Sequence, residues 1–167
     1  MSKLIGNAVN AKKGWVIPAT LIAGACFWVL PAGINLPNYA PDWISLILIY
    51  WCFAMPGKIG LGYAWCVGLF LDILSFGTLG RYALSKVVIV FLAQRFAFRV
   101  RAFPVWQQSF VILFLLVIET AVLSSVAIMM GKFDLSYSRW IAVATGSASW
   151  FVVYFVLRRL RHWAHLP

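Results

Sequence analysis

The sequence has few acidic residues: four Asp and Glu stand against 14 Lys and Arg in 167 residues. Charged residues make up only 11% of the chain, whereas hydrophobic residues make up 63%. A soluble domain of this size would expose far more charged side chains than this composition supplies. The scarcity of charge therefore excludes an ordinary soluble protein and indicates a polytopic membrane protein.

Catalytic motifs are also missing from the sequence. It contains no Gly-rich phosphate loop, no nucleophile elbow, no His-Glu-x-x-His and no pair of carboxylates within one segment. With four acidic residues in total, general acid and base catalysis has few candidates. We therefore expect no enzymatic activity and no cofactor.

Metal and disulfide sites are not expected either. Cys26, Cys52 and Cys66 fall within apolar stretches, without Cys-x-x-Cys spacing or a nearby His. They are predicted to be small buried hydrophobic residues. His162 and His165 lie beyond the last apolar stretch, where a solvated basic face is a better interpretation than a metal site.

The sequence is predicted to fold as an all-α domain of six membrane-spanning helices over residues 15–157. A cytoplasmic tail at 1–14 precedes this domain and a basic cytoplasmic tail at 158–167 follows it, which leaves no room for a soluble domain. The first stretch continues past Pro18, which indicates a retained span and not a signal peptide. The predicted spans are 15–30, 43–55, 61–74, 81–96, 106–130 and 139–157.

The second span is short. At ~1.5 Å per residue it covers about 20 Å, less than a hydrocarbon core of ~30 Å. It is either a tilted full span or half of a re-entrant hairpin. We favour the full span because Lys58 then falls on the basic side of the membrane.

Basic residues cluster at alternate connections between the apolar stretches. The positive-inside rule places these connections in the cytoplasm, together with both termini. At the membrane surface such residues suit anionic lipid head groups, so we expect no nucleic-acid partner. The cytoplasmic basic residues are Lys3, Lys12, Lys13, Lys58, Arg95, Arg99, Arg101, Arg158, Arg159 and Arg161.

Charges inside the predicted spans need partners, because an intramembrane charge costs ~2.5 kcal/mol or more. Asp72 and Lys86 flank the same turn, and each lies roughly 8 Å deep at ~1.5 Å per residue. We predict that Asp72 pairs with Lys86 or Arg81 and closes the hairpin of spans three and four. A structural clasp is the favoured role, with a proton or ion relay as the alternative.

Glu119 lies near the middle of the fifth span, with no basic residue close in sequence. Either it faces Lys86 or a polar pocket inside the bundle, or it stays protonated. The residues do not decide between these two possibilities.

Small residues indicate where helices pack closely. Ala64 and Gly68 on the third span have the spacing of such a contact, as do Ala142 and Gly146 on the sixth. Packing within the bundle is a more economical interpretation than a face for a partner helix.

One region has the pattern of a known family. Pro41-Asp42-Trp43 opens an apolar run, a Pro-containing turn follows, and the segment from Gly68 through Leu71-Asp72 to Gly77-Thr78-Leu79-Gly80 completes the pattern. The sequence thereby resembles the rod shape-determining protein MreD, and the later Trp106-Gln107-Gln108 also fits. Lys86 and the long N-terminal tail go beyond the signature. The motif residues are Asp42, Trp43, Gly68, Asp72, Gly77 and Gly80.

The resemblance implies a non-enzymatic inner-membrane scaffold of the bacterial elongasome, which carries out lateral peptidoglycan synthesis and sets cell shape. Its partners would be the single-span periplasmic protein MreC, the MreB filament, the glycosyltransferase RodA and its class B transpeptidase. The family's fold is similar to the six-helix substrate-binding subunits of energy-coupling vitamin transporters. A solute-binding subunit is thus the alternative, but polar residues within the spans are too few and dispersed to favour a pocket.

The connection from Ala32 to Asp42 is the longest predicted periplasmic segment. Prolines within and beside it favour an extended, preformed shape, which loses less entropy on docking. Asn35 and Tyr39 are therefore candidate contacts to an MreC-like partner. A lid over the protein's own bundle is the other possibility.

Overall fold

The computed structural model describes residues 15–33, 41–55, 57–76, 78–131 and 137–164, with side chains except at 28–33 and 137–138. All regular secondary structure in these ranges is α-helical, which confirms the predicted all-α class. The helices, numbered in chain order, are α1 Val16–Gly33, α2 Trp43–Ala54, α3 Leu61–Leu74, α4 Arg81–Val100, α5 Val105–Met129 and α6 Tyr137–Trp163.

Two of these helices, α5 and α6, are long and apolar enough to cross a membrane. Shorter apolar helices are formed by α2, by α3 and by Val16–Phe27 of α1. Helix α4 has 20 residues, but Lys86, Arg95 and Arg99 make it less apolar than its neighbours. The helices support a membrane protein, whereas six complete spans remain a prediction.

Helix α2 lies at the centre of the bundle. All its residues from Ile44 to Phe53 are buried, as expected for a helix that is apolar on every side. It packs against α1, α4 and α6, and Trp51 Nε1 donates a hydrogen bond to Thr20 Oγ1 of α1 at 2.9 Å. A ring of aromatic contacts joins its Tyr50 and Phe53 to Trp150 of α6. Helix α2, although short, is thus the helix that is most completely surrounded by protein.

Helices α3 and α4 form a tight hairpin. A Cβ atom added to Gly68 would lie 2.3 Å from the Ala83 Cα atom, so only glycine permits this approach of the two backbones. On α6, a Cβ atom at Gly146 would lie 2.8 Å from Leu116 Cδ1 of α5. The prediction that these small residues pack within the bundle is confirmed at both glycines.

Candidate functional site: a buried charge cluster

Lys86 is fully buried in the second turn of α4. Its Nζ atom lies 2.7 Å from Asp42 Oδ2, 2.5 Å from Ser45 Oγ and 2.5 Å from Glu119 Oε1. An ammonium group has three N–H donors, so each donor has an acceptor within the chain. We name Asp42, Ser45, Ser85, Lys86 and Glu119 the central polar cluster.

The start of α2 supplies two of these acceptors. Asp42 is the N-cap of α2, and its Oδ1 atom accepts the backbone N–H of Ser45 at 3.2 Å. This is the usual way in which an Asp satisfies a free donor at a helix start. The other carboxylate oxygen of Asp42 binds Lys86. One side chain therefore fixes the beginning of α2 and ties it to α4.

Glu119 brings α5 into the same cluster. It is 3% exposed, and its Oε1 atom accepts hydrogen bonds from Ser45 Oγ at 2.7 Å and Ser85 Oγ at 3.2 Å in addition to Lys86. Of the two possibilities left open by the sequence, the structure has the one in which Glu119 faces Lys86. The cluster joins α2, α4 and α5 at one level of the bundle.

The central polar cluster contains more acidic than basic groups, because two carboxyl groups share one ammonium group. The Asp42 side chain is 25% exposed, whereas that of Glu119 is 4% exposed. Burial opposes the charged form of Asp42, but Lys86 and the hydrogen bonds from Ser45 lower its pKa below the ordinary value. Asp42 and Lys86 thus form a balanced pair, and Glu119 is a second carboxyl group in contact with the same cation.

The predicted pairing of Asp72 with Lys86 or Arg81 is wrong. Asp72 is 1% exposed; its Oδ2 atom accepts the backbone N–H groups of Gly80 at 2.9 Å and Ala83 at 3.2 Å, and its Oδ1 atom accepts that of Tyr82 at 2.8 Å. The first N–H groups of a helix have no partner inside the helix and favour a negative charge. Asp72 therefore caps α4, and it closes the hairpin with backbone donors instead of a side-chain cation.

The turn before α4 has a backbone conformation that is compatible with this cap. Gly80 has a φ of 96°, in the left-handed region that favours glycine. The neighbouring Arg81 guanidinium lies 5.6 Å from the centre of the Tyr82 ring, which is within cation–π range. Arg81 therefore contacts an aromatic ring in place of the carboxylate predicted for it.

The structure describes some of the remaining motif and partner residues but not others. Trp43 begins α2 half-buried, with its ring centre 6.2 Å from that of Phe27. Gly77, Asn35 and Tyr39 lie outside the described residues, so their predicted roles stay predictions.

One arginine of the predicted basic surface, Arg101, makes hydrogen bonds to another helix. Arg101 donates hydrogen bonds through Nε to the Phe53 carbonyl and through Nη2 to the Ala54 carbonyl, the latter at 2.9 Å. These carbonyls end α2, where a helix terminus attracts positive charge. The other predicted members are exposed or half-exposed on the last turns of α4 and α6: Arg95, Arg99, Arg158, Arg159 and Arg161.

The prediction for the cysteines is wrong in two of three cases. Cys52 is buried, whereas Cys26 and Cys66 are exposed on the outer surface of the bundle. In an apolar helix both the inner and the outer face carry hydrophobic residues, so the local sequence does not distinguish them. Among the described residues no group of three or more His, Cys, Asp and Glu is placed to hold a metal ion.

Comparisons with known proteins identify relatives. A family model described as rod shape-determining protein MreD matches residues 11–161. The rod shape-determining protein MreD of Haemophilus influenzae is 29% identical over 137 residues, which cover 78% of this chain and 81% of that protein. No solved structure matches the chain.

Proposed function

Because this chain belongs to the MreD family of rod shape-determining proteins, we propose that it is a non-enzymatic scaffold of the cell-elongation machinery. In this role it sits in the bacterial inner membrane and holds other components of lateral peptidoglycan synthesis together. A role in rod-shape determination follows from the family, and the scaffold is the specific form that the geometry favours.

The observation that carries this proposal is the closed hydrogen bonding of the central polar cluster. All three Lys86 donors bind acceptors of the same chain, and Asp72 is occupied by the backbone of α4. A solute-binding subunit needs convergent polar groups that are free to bind a ligand. Here the buried charges hold helices to one another, which suits a rigid membrane adaptor better than a vitamin-binding transporter subunit.

The proposed topology has six spans with both termini in the cytoplasm. It is supported by the six helices and by the basic residues, which lie at the ends of α4 and α6 and in the connection at Lys58. The starts of α2 and α4, with Asp42 and Asp72, then face the periplasm. Such an arrangement leaves helix surfaces and short connections as the places where partners bind.

The proposed partners are MreC, MreB, RodA and the class B transpeptidase that works with RodA. Among them, an MreC-like periplasmic protein is assigned to the segment before α2, with Asn35 and Tyr39 as contacts. Photocrosslinkers at these two positions test the assignment in cells. Adducts with a single-span periplasmic protein support docking, and adducts confined to this chain indicate a lid.

Purification from native membranes after mild crosslinking tests the scaffold itself. A single-span periplasmic partner and wall synthases in the purified complex support the scaffold. A vitamin-sized ligand together with an energising ATPase would instead identify a transporter subunit and overturn the proposal. A matched preparation without crosslinker shows which components bind stably.

A further inference from the structure

A cavity of about 410 Å³ opens at the end of the bundle opposite the central polar cluster. It lies where α2 and α4 end, α5 begins and the last turns of α6 pass. Its walls combine cationic and aromatic side chains, among them Arg101, Arg158, Arg161, Tyr50, Trp150 and Tyr154.

The described walls of the cavity are basic. Three arginines and His162 line it, and no carboxylate does so among the described residues. Of the four acidic residues, Asp42, Asp72 and Glu119 belong to the sites described above, and Asp134 lies outside the described residues. Within the described residues, the guanidinium groups of Arg158 and Arg161 thus give this cavity a positive potential that favours an anion.

The walls hold the cationic groups in place. The Arg158 guanidinium lies 5.9 Å from the centre of the Tyr154 ring, and Arg161 lines the same cavity one turn further along α6. Arg101 is fixed by the carbonyls that end α2. Arginine in such a setting presents a preorganised fork of donors, which matches the oxygens of phosphate and carboxylate groups.

From the location of the cavity, its basic lining and the contacts that hold its arginines, we propose that it binds a phosphate ester, as carried by the head group of an anionic phospholipid. Its volume is within the range of small-ligand sites. Exposed aromatic residues nearby, such as Trp163 and Phe155, give acyl chains an apolar surface beside the head group. The cytoplasmic location of the site rests on the topology proposed above, whereas the binding chemistry does not.

Native mass spectrometry of the purified protein in neutral detergent tests the site with phosphatidylglycerol as the probe. We expect one phosphatidylglycerol to bind about tenfold more tightly than phosphatidylcholine, and the double variant Arg158→Gln/Arg161→Gln to lose about tenfold in affinity. Arg158→Lys/Arg161→Lys keeps the charge but not the fork, so it should fall between the two.

The matched control is Arg95→Gln/Arg99→Gln, which removes the same charge from exposed positions of α4 outside the cavity. It should leave phosphatidylglycerol binding almost unchanged. Equal losses in both double variants would mean diffuse surface electrostatics and would overturn the site. Unchanged melting temperatures without lipid ensure that the variants are folded.

Competition with glycerol 3-phosphate separates the two sources of a phosphate ester. If it fails to displace the lipid at comparable concentration, the site belongs to a lipid head group. Displacement at equal concentration would assign the cavity to a soluble phosphorylated ligand and would overturn the lipid assignment. Because these measurements use purified protein, their outcome is independent of whether the scaffold partners are found.

Discussion

The Lys86 ammonium group lies 2.5 Å from the Glu119 carboxylate, although the two residues are 33 positions apart and belong to different helices. The same nitrogen binds Asp42, 44 positions away. These contacts link α2, α4 and α5 through one buried cation. We therefore expect the bundle to be sensitive to substitutions in the central polar cluster.

Replacement of Lys86 tests this sensitivity. Lys86→Met leaves the buried Glu119 and the partly exposed Asp42 without their cation, and we expect a loss of about 3–5 kcal/mol in the free energy of unfolding. Glu119→Gln keeps the balanced pair of Asp42 and Lys86, so it should cost only about 1 kcal/mol. Thermal unfolding in detergent measures both variants. Equal effects of the two substitutions would contradict the charge balance inferred for the cluster.

Asp72 offers a second test, because it caps α4 with both carboxylate oxygens. Asp72→Ala leaves three N–H groups without acceptors and should cost about 2 kcal/mol or more, visible as reduced protein level and reduced rescue of cell shape. Asp72→Asn keeps one acceptor oxygen and should be milder. A proton relay predicts another result: Asp72→Asn would abolish function in a folded, abundant protein.

Two glycines of α3 form a matched pair for the hairpin contact. At Gly68 an added Cβ atom meets the Ala83 backbone, whereas at Gly62 nothing lies within 4 Å. We expect Gly68→Ala to destabilise the protein by about 1–3 kcal/mol through overpacking. Gly62→Ala should be neutral or stabilise it by up to about 1 kcal/mol. Melting temperatures compare them, and similar values would place α3 and α4 further apart.

Substitutions of Arg101 and Arg99 compare an arginine that contacts another helix with an arginine on the surface. Arg101→Gln removes donors to two carbonyls at the end of α2 and should cost about 1–2 kcal/mol. Arg99→Gln should change stability by less than about 0.5 kcal/mol. Chemical unfolding of the two variants decides the point. A loss in both would mean that the charge at this end, and not the contact, stabilises the bundle.

The proposed topology is tested by single cysteines at Asn35 and Asn7. The background chain carries Ala at Cys26, Cys52 and Cys66, because two of these thiols are exposed. An impermeant thiol reagent applied to cells with an opened outer membrane should label Asn35→Cys and leave Asn7→Cys unlabelled. The reverse pattern would invert the orientation.

The helices were largely predictable because Pro and Gly residues interrupt the apolar stretches at most of their ends. The sequence pattern predicts ends of α4 and α6 that are too early, at Phe96 and Leu157 instead of Val100 and Trp163. Basic residues in these segments suggest the beginning of a connection. Arginine is a good helix former, so the helices continue through these residues.

The central polar cluster was only partly predictable. Asp72, Lys86 and Glu119 are recognisable because charges within apolar stretches are rare and costly. Their partners were missed because residue counting gives depth along a helix but not rotation about its axis. Residue counting also does not identify the backbone N–H groups that bind Asp72. It does not identify Asp42 as a partner either, because Asp42 lies just before a helix.

The buried lysine also has a consequence for the biogenesis of the protein. Asp42 and Ser45 precede Lys86 in the chain, while Glu119 follows it, so two acceptors are synthesised before the cation and the third afterwards. An uncompensated lysine opposes the insertion of a helix by about 2.5–3.5 kcal/mol. If α4 is a span, as in the proposed topology, we expect it to depend on α2 when it leaves the translocon and on α5 to complete its integration.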